Sequence, residues 1–328
     1  MFRHVTRHLK HFALAALAAI SLLTATSAHA AFPDRPITLI VPWAAGGGTD
    51  AVARQMALML EREFKQPVNV VNRTGGSGVV GHQAIATATP DGYTFGLITL
   101  EITLMHWVGL TDLTYEKFTP LALVNQDFAA IHVKSDAPYK NVKELFAQIK
   151  ANPNKMTASG TGQGGSWHVA LAGLMQADGV SPGSIRWVPS TGAATALTDL
   201  AAGGIDFVAC SMPEAEALIK AGRVRSLVFF APKRAANFPD VPTTDEALGQ
   251  KWHKGVWRGF AAPKGMPKEI AAQYEAAIKK AWDSDEFKEF MTRRGFDMVW
   301  MDSAKYGEFM KADDADNGAA LKSLGLAK

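Results

Sequence analysis

Three turns rich in glycine and hydroxyl groups carry the residues of this chain that are best suited to bind a ligand. They read WAAGGGTD (43–50), RTGGSGVVG (73–81) and SGTGQGGSWH (159–168). Each follows a strand-like run and precedes a helix-like one. Glycine is costly in backbone entropy and is used where the chain needs a positive φ or the close approach of another group. A bound group is therefore one explanation of these turns.

A nucleotide is the first ligand to consider, because two of the turns satisfy G-x-G-x-x-G, starting at Gly76 and Gly160. A dinucleotide site also needs an acidic residue about 20 residues further on, at the end of the next strand. The strand SIRWVPS after Gly160 contains none, and Asp91 after Gly76 lies in a PDG turn. No turn continues into Gly-Lys-Ser/Thr, so a Walker A loop is excluded. The sequence therefore predicts no nucleotide and no other cofactor.

A small anion suits the turns better. The N-terminus of a helix carries free N–H groups and about half a positive charge. Neither WAAGGGTD nor SGTGQGGSW contains Lys or Arg, so an anion would be held by backbone amides, by water and by hydroxyls, namely those of Thr49, Ser159, Thr161 and Ser166. Thr49 also suits the N-cap of its helix. The alternative is that the turns simply pack against the sheet, which is the favoured interpretation for RTGGSG.

Nucleophilic and metal-dependent catalysis find little support. GGSG and GGSWH both fail the G-x-S-x-G pattern, and no base is spaced to activate Ser77 or Ser166. The five histidines beyond residue 30 show neither HExxH nor paired spacing, so no metal site is expected. The chain is predicted not to be an enzyme, and turnover of a candidate ligand would reverse that prediction.

Strands alternate with helices along the chain, which predicts an α/β fold with a largely parallel sheet. ITLIV (37–41) is a short buried strand, and the helix after it places apolar residues on one stripe. Two long apolar segments, LALVNQDFAAIHV (121–133) and RVRSLVFFAPKR (223–234), are expected to cross between two lobes. We therefore predict a first lobe of residues 31–125 and 230–328, a second lobe of residues 126–229, and a ligand cleft between them.

The N-terminal segment reads as a cleavable signal peptide over residues 1–30. It combines a basic start, an apolar run of about a dozen residues and an A-x-A site ending at Ala30. An uncleaved anchor is the alternative. Removing the segment takes away three basic residues and no acidic ones, which leaves 31 of each. This balance gives no reason to expect nucleic acid as a partner. Cys210 is the single cysteine of the sequence, so no intrachain disulfide can form.

The motifs resemble those of the Bug-type family, the extracytoplasmic solute-binding proteins of tripartite tricarboxylate transporters. They include ITLIVPWAAGGGTDAVAR, QPVNVVNRTGGSGVVG, ATPDGYTFG, TDLAAGGIDF, IKAGRVRSL and FPDVPTTDEA. The resemblance covers almost the whole chain after residue 30. It implies a type II periplasmic-binding-protein fold, with two α/β lobes, two crossing strands and closure around a small organic carboxylate. It also implies a periplasmic receptor that delivers the ligand to membrane permease subunits, and a monomer is the default expectation for such a shuttling receptor.

The same resemblance implies which residues face the ligand. The first turn supplies Trp43, Ala44, Ala45, Gly46, Gly47, Thr49 and Asp50, and the third supplies Ser159, Gly160, Thr161, Gly162, Gly165, Ser166 and His168. Further candidates open towards the same cleft, namely Thr99, Glu101, Thr191, Gly192, Cys210 and Ser211. A receptor that presents its ligand to a membrane sensor would share this site.

Several of these positions depart from the family pattern and leave two interpretations open. Glu101 could accept from an ammonium group on the ligand, or could be an exposed or lobe-bridging carboxylate. Cys210 stands where amino-acid binders of the family often have Asp, and it is expected to be a small buried hydrophobe. Trp43 could pack on the ligand or fill the core, and His168 could donate to an anion or hold a structural hydrogen bond.

Overall fold

A computed structural model of the chain describes residues 32–328, of which Arg35–Lys328 form one compact unit. The predicted signal peptide and its cleavage after Ala30 lie outside the described residues. Within them, no helix combines the length and apolar character that a membrane span requires.

Ten strands and ten α-helices alternate along most of this unit. The strands are β1 (Ile37–Val41), β2 (Val68–Asn72), β3 (Thr94–Thr99), β4 (Phe118–Lys134), β5 (Thr157–Ser159), β6 (Arg186–Trp187), β7 (Phe207–Ser211), β8 (Val224–Phe229), β9 (Gly255–Pro263) and β10 (Met298–Asp302). The helices are α1 (Gly48–Phe64), α2 (Val79–Ala86), α3 (Val142–Ala151), α4 (Ser166–Ala177), α5 (Ala193–Ala202), α6 (Met212–Lys220), α7 (Thr244–Leu248), α8 (Lys268–Asp283), α9 (Asp285–Arg294) and α10 (Ser303–Ser323).

The strands form two sheets that share β4. The first lobe contains β1 paired in parallel with β2 and β3, then β9 antiparallel to β3 and β4, and β10 antiparallel to β4. The second lobe contains β5 paired in parallel with β6 and β7, with β7 and β8 antiparallel to β4. The predicted α/β class with two lobes is confirmed, but the prediction of a largely parallel sheet is wrong, because four of the pairs between these strands are parallel and five are antiparallel. The parallel pairs lie where the strand–helix alternation is strongest.

β4 is the strand that passes from one lobe to the other. Phe118–Phe128 pair with β9 in the first lobe, and Ala129–Val133 pair with β7 in the second. The return passage lies at the start of β9, because Ala247, Leu248 and Trp252 still pack against the core of the second lobe. The lobe boundaries stay a prediction, and this packing favours a second boundary near Gly255 over the predicted residue 229.

Apolar periodicity explains how α1 is placed against the sheet. Val52, Met56 and Leu60 lie on one stripe and are completely buried. Burying side chains of this size contributes about 1.5–3 kcal/mol each. The predicted N-cap is wrong, however, since the helix is capped by Gly47 in extended conformation and Thr49 lies inside the first turn. The Thr49 hydroxyl instead accepts a hydrogen bond from Nε of Arg258 at 3.1 Å.

Candidate ligand-binding site

A small buried cavity lies between the two lobes, where the N-termini of three helices meet. Its volume is about 20 Å³. α1 comes from the first lobe, and α4 and α5 come from the second. The lining residues are Trp43, Ala44, Gly47, Gly48, Thr49, Thr99, Glu101, Thr161, Ser166, Trp167, Gly192, Ala193, Glu214, Val256 and Arg258.

The three glycines of the first turn differ in whether their backbone conformation or their surroundings require glycine. Gly46 has a φ of +84°, in the left-handed region that favours glycine. Gly48 has no room for a side chain, because an added Cβ would lie 2.7 Å from Nη2 of Arg258. Gly47 has neither constraint, since the atom nearest to an added Cβ is the carbonyl oxygen of Ala44 at 3.5 Å.

Asp50 closes this turn from the side away from the cavity. Its carboxylate accepts from the backbone N–H of Gly46, from Nε of Arg54 and from Nδ2 of Asn72, all at 2.9 Å. Burial pushes the pKa of Asp50 up, but these hydrogen bonds and the charge of Arg54 outweigh it, so the pKa is lowered overall. The residue shapes the turn and does not line the cavity.

The N-terminus of α1 is capped by a glutamate from the other lobe. Oε1 of Glu214 accepts from the backbone N–H of Gly48 at 3.2 Å. Oε2 of the same carboxylate accepts from the backbone N–H and hydroxyl of Ser211, which makes a capping box at the start of α6. Burial raises the pKa of the Glu214 carboxyl, and the nearby Arg258 guanidinium opposes that rise.

The N-terminus of α4 is capped in the same way by Glu101, which follows β3 of the first lobe. Oε1 of Glu101 accepts from the backbone N–H of Ser166 at 3.1 Å and from its hydroxyl. Oε2 accepts from Oγ1 of Thr99 at 2.5 Å, and Thr99 in turn accepts from the indole N–H of Trp43 at 3.1 Å. These donors hold the buried Glu101 carboxylate against the opposite lobe.

The two caps are reciprocal. Glu101 of the first lobe caps α4 of the second lobe, and Glu214 of the second lobe caps α1 of the first lobe. The sequence predicted that the N–H groups of α1 and α4 face a guest; the structure instead places Glu214 and Glu101 on them. Both helix ends therefore bind carboxylates, and in this structure those carboxylates belong to the chain itself.

An arginine also lines the cavity, contrary to the expectation that backbone amides and hydroxyls alone would meet the ligand. Arg258 lies on β9 and is 1% exposed. Its Nη1 donates to Asp127 and Asn125 on β4, which forms a buried ion pair with Asp127. Nη2 of Arg258 lies 3.9 Å from Oε1 of Glu214.

Two groups that line the cavity make no hydrogen bond to an acidic side chain. Gly192, the N-cap of α5, has no side chain to bond the N–H groups of the first turn, and both Gly192 and Ala193 line the cavity. Oγ1 of Thr161 is buried and has no hydrogen-bond partner. A buried polar group without a partner costs about 1–3 kcal/mol, which a bound acceptor would recover.

Of the predicted site residues, the structure brings nine together around the cavity: Trp43, Ala44, Gly47, Thr49, Thr99, Glu101, Thr161, Ser166 and Gly192. The remaining eleven lie outside its lining: Ala45, Gly46, Asp50, Ser159, Gly160, Gly162, Gly165, His168, Thr191, Cys210 and Ser211.

Two of these outlying residues have clear structural roles. His168 accepts from the backbone N–H of Gly164 and lies 4.7 Å from the ring of Trp187, and burial lowers its pKa to about 4. Cys210 is fully buried in the core of the second lobe, where burial raises the pKa of its thiol.

Six lining residues were not predicted: Gly48, Trp167, Ala193, Glu214, Val256 and Arg258. Two of them left a signal in the sequence. The spacing of Ser211 and Glu214 is that of a capping box, and Arg258 is a lone charge within the apolar strand VWRGFAAP.

The second glycine-rich turn, RTGGSG, packs against the third turn, SGTGQGG, of the opposite lobe. Oγ of Ser77 donates to the carbonyl of Gln163 at 3.3 Å, and a Cβ on Gly162 would lie 1.8 Å from that same Oγ. The turn does not line the 20 Å³ cavity, but it borders a neighbouring one of about 280 Å³ together with Trp43. Gly162 therefore permits a close contact between the lobes.

The chain is similar to known proteins over most of its length. The sequence model of the family described as the tripartite tricarboxylate transporter family receptor matches residues 52–326. The structure of the periplasmic binding protein BugD is 28% identical, covers 90% of this chain and 100% of its own, and superposes with a TM-score of 0.85.

Two of the similar structures from Rhodopseudomonas palustris contain a carboxylate. One, solved with adipate, is 26% identical, covers 90% of this chain and 99% of its own, and has a TM-score of 0.84. The other, MatC with bound malate, is 26% identical, covers 88% of this chain and 100% of its own, and has a TM-score of 0.81. These similarities confirm the predicted two-lobed periplasmic-binding-protein fold.

Proposed function

The chain belongs to the tripartite tricarboxylate transporter receptor family, and from this premise we propose that it captures a small organic carboxylate and delivers it to a membrane transporter of that type. The observation that carries the proposal is the meeting of three helix N-termini, from both lobes, at one buried cavity. Adipate and malate in two similar structures support the same class of ligand.

We assign the ligand's carboxylate to the first turn of α5 and to the hydroxyl of Thr161. These donors line the cavity without holding an acidic side chain of the chain itself. A helix N-terminus offers about half a positive charge and free N–H groups to an anion. The ring of Trp43 and the methyl of Ala44 border the same space and would contact the carbon frame.

The size of the cavity implies that the ligand binds first to another conformation of the protein, in which the lobes lie further apart. A volume of about 20 Å³ holds about one water molecule, so a four-carbon acid enters only when the lobes separate. Ligand binding would then shift the equilibrium between separated and closed lobes, and the transporter would recognise the closed form. In this account the protein is an exported, monomeric receptor without catalytic activity.

Calorimetry with malate and adipate on ligand-stripped protein tests the proposal. We expect saturable binding of one ligand per chain for at least one member of a carboxylate series built around these two acids. Nuclear magnetic resonance of the recovered ligand should show it unchanged. Conversion of the ligand would favour a periplasmic enzyme, and the absence of binding by any carboxylate would overturn the proposal.

A matched pair of variants tests the assignment within the site. Thr161→Val removes the hydroxyl without a partner, and we expect about tenfold weaker carboxylate binding, equivalent to about 1.4 kcal/mol. Thr198→Val removes an exposed hydroxyl of α5 that bonds within its own helix, and it should bind as the wild type does. Equal affinity of the two variants would refute the role of Thr161.

Delivery needs its own measurement. The protein, with a carboxylate that binds it, is added to proteoliposomes that contain the large and small permease subunits. We expect uptake only when the binding protein is present. Uptake that does not depend on the binding protein would refute delivery while leaving carboxylate binding intact. The same conclusion would follow if the loaded protein gave no uptake but activated a membrane sensor in a separate assay.

A further inference from the structure

A second cavity adjoins the candidate ligand-binding site, and we call it the flanking cavity. It is the space of about 280 Å³ between residues 75–78 of the first lobe and residues 189–191 of the second. Trp43 lines both cavities, and Thr191 and Gly192, which line one each, are consecutive residues directly before α5. The N–H groups assigned to the ligand's carboxylate therefore lie beside this larger space. Its volume is close to the lower end of the range for small-molecule pockets, about 300–1,000 Å³.

The wall of the flanking cavity carries no charged side chain. Among the described residues it consists of four glycines, a proline, a tryptophan, two serines and a threonine. A charged group is costly to bury unless a group of opposite charge or a set of hydrogen bonds receives it. The wall therefore suits the uncharged part of a ligand, provided that no helix end supplies the missing charge.

The helix α2 begins beside the flanking cavity, directly after the second glycine-rich turn, but its first N–H groups are already used. Those of Gly78 and Val80 bond the carbonyl of Gly75 at 3.1 and 3.3 Å. That of Val79 bonds the carbonyl of Gly76. A carboxylate at this helix end would compete with these bonds, so the end is a poor site for a second negative group of the ligand.

The serine hydroxyls of the wall are left as acceptors. A serine hydroxyl has one donor and two acceptor lone pairs. Oγ of Ser77 donates to the carbonyl of Gln163 at 3.3 Å, and Oγ of Ser190 donates to the carbonyl of Gly192 at 2.9 Å. Because their protons are used in this way, both oxygens are free only to accept from a ligand. A carboxylate has no proton to donate to them, whereas an alcohol has one.

Trp43 offers the flanking cavity ring carbons and no donor. Its indole N–H donates to Oγ1 of Thr99 at 3.1 Å. Its six-membered ring lies against the second glycine-rich turn, since a Cβ added to Gly78 would lie 3.0 Å from Cζ2 of Trp43. An aromatic ring presents an apolar face with negative π density. Such a face suits the C–H groups of a carbon chain and does not suit a second carboxylate.

We propose that the ligand is a carboxylate whose carbon chain carries several hydroxyl groups, and that this chain lies in the flanking cavity. The inference rests on the proposed function, because the carboxylate stays on the first turn of α5 and on Thr161. The C–H groups of the chain would pack on Trp43, and its hydroxyls would donate to Ser77 and Ser190. The ligand class is thus a sugar acid or a related polyhydroxy monocarboxylate.

Pairs of acids of equal chain length that differ in their hydroxyl groups test the ligand class. The probes are gluconate and galactonate against hexanoate, and threonate against butanoate. Adipate serves as the six-carbon acid with a second carboxylate, and glucitol as the polyol that lacks a carboxylate. Affinities are measured by calorimetry on ligand-stripped protein. We expect a hydroxylated acid of at least one pair to bind at least about tenfold more tightly than its plain partner.

Variants then locate the hydroxyls that receive the chain. Ser190→Ala and Ser77→Ala each remove an acceptor, and we expect the preference for the hydroxylated acid over the plain acid to fall at least about fivefold. Thr161→Val should instead weaken both acids by the same factor, because its hydroxyl is assigned to the carboxylate. Ser323→Ala is the matched control, because this hydroxyl also donates to a nearby backbone carbonyl, that of Ala320 at 2.8 Å, and lies outside both cavities.

The outcomes separate this inference from the proposed function. If hexanoate, butanoate or adipate binds as tightly as the hydroxylated acids, the inference is overturned and carboxylate binding stands. The same holds if the preference survives in both Ser190→Ala and Ser77→Ala. If glucitol binds and no acid does, both are overturned. Binding by no probe overturns the inference, and the wider carboxylate series then decides the proposed function.

Discussion

Replacing Gly48 by alanine tests whether the first turn is built around the close approach of Arg258. An added Cβ would lie 2.7 Å from Nη2 of Arg258 and 3.1 Å from Cγ of Glu214. Both of these atoms belong to buried side chains held by hydrogen bonds, so neither can simply swing into solvent. Because Gly48 and Arg258 belong to the same lobe, separating the lobes does not relieve the first contact.

The magnitude follows from opposing effects. Overpacking a buried position costs about 1–3 kcal/mol. Alanine recovers up to about 1 kcal/mol through its better helix propensity. We therefore expect Gly48→Ala to lower the free energy of unfolding by about 1–2 kcal/mol, and to weaken carboxylate binding because Arg258 and Glu214 must shift.

Gly47→Ala is the control at the neighbouring position. Its added Cβ meets only ordinary contacts, the nearest at 3.5 Å, and its φ of −78° suits any residue. Alanine is a poorer N-cap than glycine but restricts the unfolded chain, so the two effects largely cancel and the stability should stay within about 0.5 kcal/mol of wild type. Urea unfolding followed by tryptophan fluorescence measures both variants. If Gly48→Ala is as stable as Gly47→Ala, the close approach of Arg258 does not constrain the turn.

Three further perturbations probe the surroundings of the site. Asp127→Asn leaves the buried Arg258 without its ion-pair partner and should lower the free energy of unfolding by about 3–5 kcal/mol in urea titrations; a loss below about 1 kcal/mol would contradict this. His132 is fully buried, and burial lowers its pKa to about 4. The neutral ring's contribution to stability is therefore present above pH 6.5 and is lost as the pH falls, so the free energy of unfolding should drop by about 3 kcal/mol at pH 4. Unfolding curves of His132→Gln should lack this part of the pH dependence. Gly162→Ala forces Ser77 away and should separate the lobes. Small-angle X-ray scattering would detect this separation as a larger radius of gyration. Gly183→Ala is the control, because its added Cβ meets only Ser181 at 3.7 Å and should leave the radius of gyration unchanged.

The sequence pattern predicted the parts of the fold that depend on residues close together in the chain. The apolar stripe of α1, the strand β1 before it and the glycine-rich turn between them follow from spacing within about 30 residues. The same reasoning failed at the start of α1, where Thr49 was expected to cap the helix. The group that bonds Gly48 is Glu214, which lies 166 positions further along the chain. No local signal connects the two.

The candidate site likewise contains residues that the sequence predicted and residues that only the tertiary structure brings together. Seven of the nine predicted residues that line the cavity lie in strand-to-helix turns that the sequence makes visible, and Thr99 and Glu101 were implied by the family resemblance. Glu214 and Arg258 were missed, although a capping-box spacing and a lone charge in an apolar strand marked them as unusual. Their meeting depends on the pairing of β9 with β4 and on the docking of α6, which only the tertiary structure defines.

The position of the Arg258–Asp127 pair along β4 has a mechanical consequence. Asn125 lies opposite Arg258 in the pairing of β4 with β9, and only Phe128 separates Asp127 from Ala129, where β4 changes its partner to β7. The Arg258–Asp127 pair at the cavity is thus held by the same stretch of β4 that passes from one lobe to the other. In the proposed cycle of lobe opening and closure, any change in the hydrogen bonds of this guanidinium would reach the strand that joins the lobes without a relay of intermediate contacts.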